Sequence, residues 1–147
     1  MFKTMWIDWL IALFSLVTFL PLMVAQLFLL IDPQGQRAKD IIIGKGETWR
    51  DDSHFRSAYA FAWADLLFVL PLLVSGNVGV LLGQVWGYGM WMALGAISIY
   101  FSIVFWVMEK KYTYPFCGPL AYYTYFWGFF LYWGVAAMAY SVYRLPI

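Results

Sequence analysis

Long apolar runs, each stepped by sparse polar residues, dominate the chain. From Trp6 to Ile31 the only charge is Asp8, near the start. From Ser57 to Ser75 the only charge is Asp65, and the runs Val78–Met108 and Cys117–Tyr143 carry none. A helix that crosses a bilayer needs about 20 mainly apolar residues. The pattern predicts four transmembrane helices, over roughly 6–30, 56–75, 79–108 and 118–143. The expected fold is an all-α, polytopic transmembrane four-helix bundle, one integral-membrane domain over 1–147. The first run is too long for a signal peptide and no small-residue cleavage site follows it, so it reads as a retained helix.

The connections are short except one. Residues 32–55 form a real loop, opening with the turn Asp32-Pro33-Gln34-Gly35 and holding the apolar run Ile41-Ile42-Ile43. The Gly76-Asn77 link predicts an antiparallel hairpin of the second and third helices. Pro21 and Pro71 are expected to interrupt the first two helices. Gly79, Gly83 and Gly87 recur at steps of four, a pattern that lets membrane helices approach closely. They are expected on the third helix, packing it inside the protomer or against a second copy.

Steps of three and four place residues on one helix face. One such face in each helix collects the polar and aromatic side chains. It runs through Asp8, Ser15, Thr18 and Gln26 in the first helix, and through Ala58, Phe61, Asp65, Phe68 and Leu72 in the second. In the third it holds Gln84, Tyr88, Trp91, Ser98, Ser102 and finally Glu109. In the fourth it holds Tyr122, Tyr125, Phe129, Tyr132, Ala136, Tyr140 and Tyr143. Polar groups in hydrocarbon turn inward to find partners. The bundle interior is therefore expected to be amphipathic and aromatic, with the ligand-lining candidates Thr18, Gln26, Asp65, Tyr88, Trp91, Ser98, Tyr125 and Tyr132.

Composition sharpens this picture. Of the 147 residues 64% are apolar and only 12% charged, about half the charge of an ordinary soluble domain. A net charge of +1 gives no basic patch for nucleic acid. Lys and Arg favour one side: Arg37, Lys39, Lys45, Arg50, Arg56, Lys110 and Lys111 flank or fill the loops 32–55 and 109–117. Positive-inside logic places those loops in the cytoplasm and both termini opposite. One histidine excludes bis-histidine haem, and one cysteine, Cys117, excludes disulfide-exchange quinone chemistry. Glu47, Asp51, Asp52 and His54 match no metal spacing; an acid there is expected to cap the second helix. No metal site and no cofactor are expected.

Asp65 is the sharpest residue. A charge halfway along a span costs about 3 kcal/mol on insertion scales. No Lys, Arg or His lies at similar depth, so Asp65 is expected to be protonated, or paired with water, a proton in transit or a cationic ligand. Tyr88, Ser98 and Tyr132 are its expected contacts across the bundle.

Two stretches carry a likeness to known proteins: Trp9 through Pro21 to Gln26, and Ala64-Asp65-Leu66-Leu67-Phe68-Val69-Leu70-Pro71. An acid followed by an apolar run and a proline resembles the second helix of the sterol-isomerase/sigma-2-receptor family of small helical membrane proteins. The resemblance implies helices around an aromatic pocket, with Asp65 as the pocket acid and Glu109 as a second catalytic acid. Gln26 stands where that likeness leads one to expect an acid.

Three functions fit. The first is binding of an apolar or cationic amphipathic small molecule within the bundle, with or without isomerase chemistry. The second is a small proton-coupled transporter acting as a homodimer. The third is an accessory or scaffold subunit of a larger membrane complex. Membrane lipid is a partner in all three.

Overall fold

The structure is a computed structural model and describes residues 3–145. Its first helix, α1 (Trp6–Ile31), is inverted relative to a helix in water. The buried line runs through Asp8, Ile11, Ser15, Thr18, Phe19, Met23, Gln26 and Leu29, and it holds every polar side chain of the helix. The outward line is Trp6, Trp9, Leu13, Leu16, Val17, Leu20, Val24, Leu27 and Ile31. Such a helix is stable where the surroundings are hydrocarbon and partners lie only inside. Pro21 does not interrupt it, contrary to the expectation; α1 is continuous through that residue.

Three helical stretches among the described residues are long and apolar enough to cross a membrane: Trp6–Ile31, Asp52–Leu81 and Val85–Arg144. The chain is an all-α, multi-pass integral membrane protein. The other elements are α2 (Gln36–Ile42), α3 (Asp52–Ala64), a π-helical turn (Asp65–Val69), α4 (Leu70–Leu81), α5 (Val85–Tyr125) and α6 (Gly128–Arg144). They form two compact units, one from Met1–Thr18 with Leu72–Ile147 and one from Phe19–Pro71.

In the first unit, the turn between α4 and α5 comes later than the sequence suggests. Gly76 and Asn77 are helical, and α4 continues to Leu81. The turn is at Gly83, whose φ is +67°. Gly83 N–H bonds Val80 O at 2.9 Å and Gln84 N–H bonds Gly79 O at 2.8 Å. This is the Schellman pattern, which needs a left-handed residue and so favours glycine. The three glycines therefore do not share one helix face. Gly79 lies in the last turn of α4, Gly83 turns the chain, and Gly87 lies in the first turn of α5 against the backbone of Gly79 and Val80. The hairpin is closed by backbone contact.

α5 and α6 run antiparallel. A Cβ on Gly95 would sit 2.9 Å from Gly134 O, and one on Gly134 would sit 2.7 Å from Gly95 O. Within α5 the helix breaks at Gly118 (φ +76°), so α5 is two helical runs across a kink. A second break follows at Trp127, which holds a left-handed φ of 63°. The expected uninterrupted helix over 118–143 is thus split. Non-helical backbone in a membrane protein must be satisfied by side chains. Here Trp106 Nε1–H bonds Phe126 O at 2.6 Å, Ser102 Oγ bonds Trp127 O at 2.9 Å, and Tyr132 OH bonds Tyr123 O at 2.9 Å. Phe105 stacks on the Trp127 ring, centroids 4.2 Å apart.

The second unit packs around Leu29, Ala38 and Ala62, with Leu30, Ile42, Trp49, Phe55, Ala58 and Tyr59 against them. Asp51 caps α3, its Oδ1 accepting from His54 N–H at 2.8 Å. That bond holds the exposed Asp51 carboxyl below the usual carboxylate range.

The glycine assignments predict a graded response in detergent melting. Gly83→Ala should cost about 1–2 kcal/mol, the penalty of a left-handed non-glycine residue. Gly87→Leu should cost more, because the obstructing atoms are backbone. Gly89→Leu, where a Cβ meets nothing within 4 Å, should stay within about 0.5 kcal/mol of the parent. Equal loss in all three would show that the turn geometry is wrong.

Candidate functional site

Two buried acids organise the molecule, and they are held differently. Asp8, in the first unit, is completely buried. It lies in the first turn of α1, where a carboxylate suits the positive helix end. Its Oδ2 accepts from Met5 N–H at 2.6 Å, reaching back as an acid in a capping box does. Its Oδ1 accepts from Tyr88 OH at 2.9 Å. Arg144, in the last turn of α6, donates from Nε to Tyr88 OH at 3.1 Å and from Nη2 to Lys3 O at 2.7 Å. The same Nη2 lies 4.0 Å from Asp8 Oδ2. The guanidinium lies over the Tyr88 and Tyr140 rings, 5.3 and 6.0 Å from their centroids. Three helix ends are joined here by a charge pair with its hydrogen bonds supplied.

Deeper in the same unit, Asn77 Nδ2 donates to Ser15 Oγ at 2.9 Å and its Oδ1 accepts from Trp91 Nε1–H at 3.0 Å. Trp133 Nε1–H bonds Ile11 O at 3.1 Å. Tyr88, Trp91 and Trp133 are fully buried side chains that fill this space. Ser98 bonds its own helix at Leu94 O, 2.7 Å away.

Asp65 belongs to the second unit and is 6% exposed. It stands where α3 gives way to the π-helical turn, and Leu70 N–H reaches back five residues to Asp65 O. The widened turn lies just before Pro71, which lacks the N–H that a regular helix would use there. It also shifts the buried register by one. Val69 and Leu73 are buried after Asp65, whereas Phe68 of the expected line is exposed.

The partner of Asp65 is Gln26, itself 8% exposed on α1. Gln26 Nε2 donates to Asp65 Oδ2 at 2.9 Å. Gln26 Oε1 is buried with no hydrogen-bond partner among the described residues. The expected contacts of Asp65 are engaged elsewhere: Tyr88 with Asp8, Ser98 with Leu94 O, and Tyr132 with Tyr123 O.

The remaining candidates are dispersed. Thr18 is buried in α1 and its Oγ1 has no partner among the described residues. Tyr125 and Tyr132 are exposed, and Glu109 is half-buried on α5 in the first unit. Asp52 pairs with Arg56 at 2.6 Å, both on the surface. The Arg50 side chain meets the His54 ring, its Nε 3.3 Å from Nδ1. Among the described residues no three His, Cys, Asp or Glu side chains gather as a metal site would require.

The Asp8–Tyr88–Arg144 cluster and the bridging Asn77 are not evident in the apolar pattern. Asn77 passes for a loop residue because Gly76 precedes it. Asp8 shares its helix face with Ser15, but nothing local ties it to a residue 136 positions later. No family model, curated protein or solved structure matches the chain.

The charge pair predicts coupling. Arg144→Met should destabilise by about 3–5 kcal/mol, since it leaves the buried Asp8 uncompensated, and Asp8→Leu by less, since Arg144 is only partly buried. The double variant should lose less than the sum by roughly 0.5–3 kcal/mol. Strict additivity in urea or thermal unfolding would show that the two groups do not act on each other.

Proposed function

We propose that this multi-pass membrane protein binds an apolar or amphipathic small molecule through Asp65 and Gln26. The observation that carries the reading is the buried acceptor Gln26 Oε1, without a donor, beside a buried acid whose hydrogen-bond partner is the same amide. An unfilled acceptor costs about 1–3 kcal/mol in an interior and more in hydrocarbon, where water cannot supply the missing bond. A ligand headgroup that donates to Oε1 and lies against Asp65 removes that cost. Its tail stays among apolar side chains. The π-helical turn supports the reading, because such turns are frequent at functional sites in membrane and soluble helices.

In this proposal the stretch Val85–Arg144 crosses twice, out to Gly118 and back, which gives four crossings. The loops 32–55 and 109–117 then face the cytoplasm. A buried acid can give a proton to an alkene, so isomerase chemistry of the kind the sterol-isomerase resemblance implies is one use proposed for Asp65. Glu109 is not assigned a role in it. A second reading, a subunit of a larger complex or a homodimer, draws on the outward small-residue line Gly89, Ala93 and Ala96 on α5, which leaves room for another helix.

Dodecylamine and dodecanol serve as probes, read by thermal shift in detergent. Saturable binding of at least one is expected. Asp65→Asn should fold with nearly unchanged stability, because Asn still accepts from Gln26. It should weaken binding by about ten- to hundredfold, the worth of one charge-assisted hydrogen bond. Equal binding of both probes in parent and variant would overturn the site and favour the subunit reading.

A further inference from the structure

A lone carboxylate at Asp65 would be a buried charge without a counter-ion. Residues 19–31 of α1 carry no titratable side chain. On α3 the titratable groups are Asp52, His54, Arg56 and Tyr59, and on α2 they are Arg37, Lys39 and Asp40. Among the described residues none of these is bonded to the Asp65 or Gln26 side chain; the side-chain bond between that pair is the one each side chain makes. Arg56 is spent on Asp52 at the surface. Removing an unpaired ion from water costs several kcal/mol or more, and a neutral group avoids that cost.

The geometry supplies the place for a proton. An amide that donates through N–H to one oxygen of a carboxyl can turn its carbonyl toward the other oxygen. If that second oxygen carries hydrogen, the acid donates to the amide carbonyl and a cyclic acid–amide pair closes. Gln26 Nε2 already donates to Asp65 Oδ2, and Gln26 Oε1 is the acceptor left over. One proton on Asp65 Oδ1, donated to Oε1, would satisfy both residues at once.

We propose that in the ligand-free protein Asp65 and Gln26 hold a proton as a cyclic acid–amide pair, and that a cationic headgroup binds by exchanging with it. This inference rests on the ligand reading above and adds the counter-reaction. The O–H bond of Asp65 breaks and the proton leaves to water. The resulting carboxylate pairs with the incoming ammonium, whose N–H groups donate to Asp65 and to Gln26 Oε1. The pair is neutral before and after, which is the condition that burial imposes. An alcohol, by contrast, displaces no proton.

Infrared spectroscopy of the ligand-free protein in detergent tests the first half. A protonated-carboxyl C=O stretch is expected near neutral pH, absent in Asp65→Asn and shifted in Gln26→Leu, which cannot accept the proton. The parent protein tests the second half without any variant. Dodecylamine should convert the acid band to carboxylate and release one proton per probe bound in weak buffer; dodecanol should release none. Between about pH 5.5 and about pH 7.5 an alkylammonium keeps its charge. Over that range its affinity should rise about tenfold per pH unit for as long as the site is protonated. A carboxylate signature in the ligand-free protein, with probe binding intact, overturns the proton pair and leaves the ligand site standing. An acid band with no binding of either probe overturns the ligand reading and the exchange, and leaves only the proton pair.

Discussion

Hydrocarbon offers a polar group no partner, and the structure is arranged around that constraint. Each polar side chain of α1 lies on the buried line, and the helix break at Trp127 is closed by side chains from neighbouring turns and helices. Around the left-handed Trp127 backbone the carbonyls of Tyr123, Phe126 and Trp127 accept from Tyr132 OH, Trp106 Nε1–H and Ser102 Oγ respectively. Aromatic residues are suited to this work, because Tyr and Trp bring a large apolar body with one donor at the edge.

The same constraint separates the two buried acids. Asp8 sits at a helix end and has a backbone N–H, a phenol and a guanidinium around it. Its charge is answered within the chain, and its role is to hold three helix ends together. Asp65 sits mid-span, and it has an amide on one oxygen. An answered acid is a fastener. Asp65 has beside it an acceptor, Gln26 Oε1, that no donor among the described residues fills.

The helical class and the inward polar faces were legible because a period of three and four is a local property. Asp65 stood out because no other charge lies mid-span in any apolar run. The breaks were less legible. Gly76-Asn77 looks like a link, but a helix tolerates both when Asn77 can bond Ser15 and Trp91. Gly83 looks like a packing residue, but its positive φ makes it the turn. The π-helical turn left no periodic signature of its own, since Pro71 alone does not say which way the preceding helix will yield. That is why Phe68 and Leu72 were expected beside Asp65, where Val69 and Leu73 are the buried residues. The charge pair between residues 8 and 144 depends on the tertiary fold and has no local trace.

The central claim is that the outward apolar face of α1 meets lipid while its polar face is sealed inside. Spin labels placed singly along α1 in proteoliposomes measure it directly, through collision with oxygen, which concentrates in lipid, and with a water-soluble nickel chelate. Oxygen accessibility should oscillate with a period of about 3.6 residues. Maxima are expected at Leu13, Val17, Leu20, Val24 and Leu27, and minima in both reagents at Ala12, Ser15, Phe19 and Met23. Chelate accessibility at Ser15 or Met23 equal to that at the loop residue Lys45 would contradict the account. It would mean that the buried face of α1 is open to water and that the polar line is not sealed.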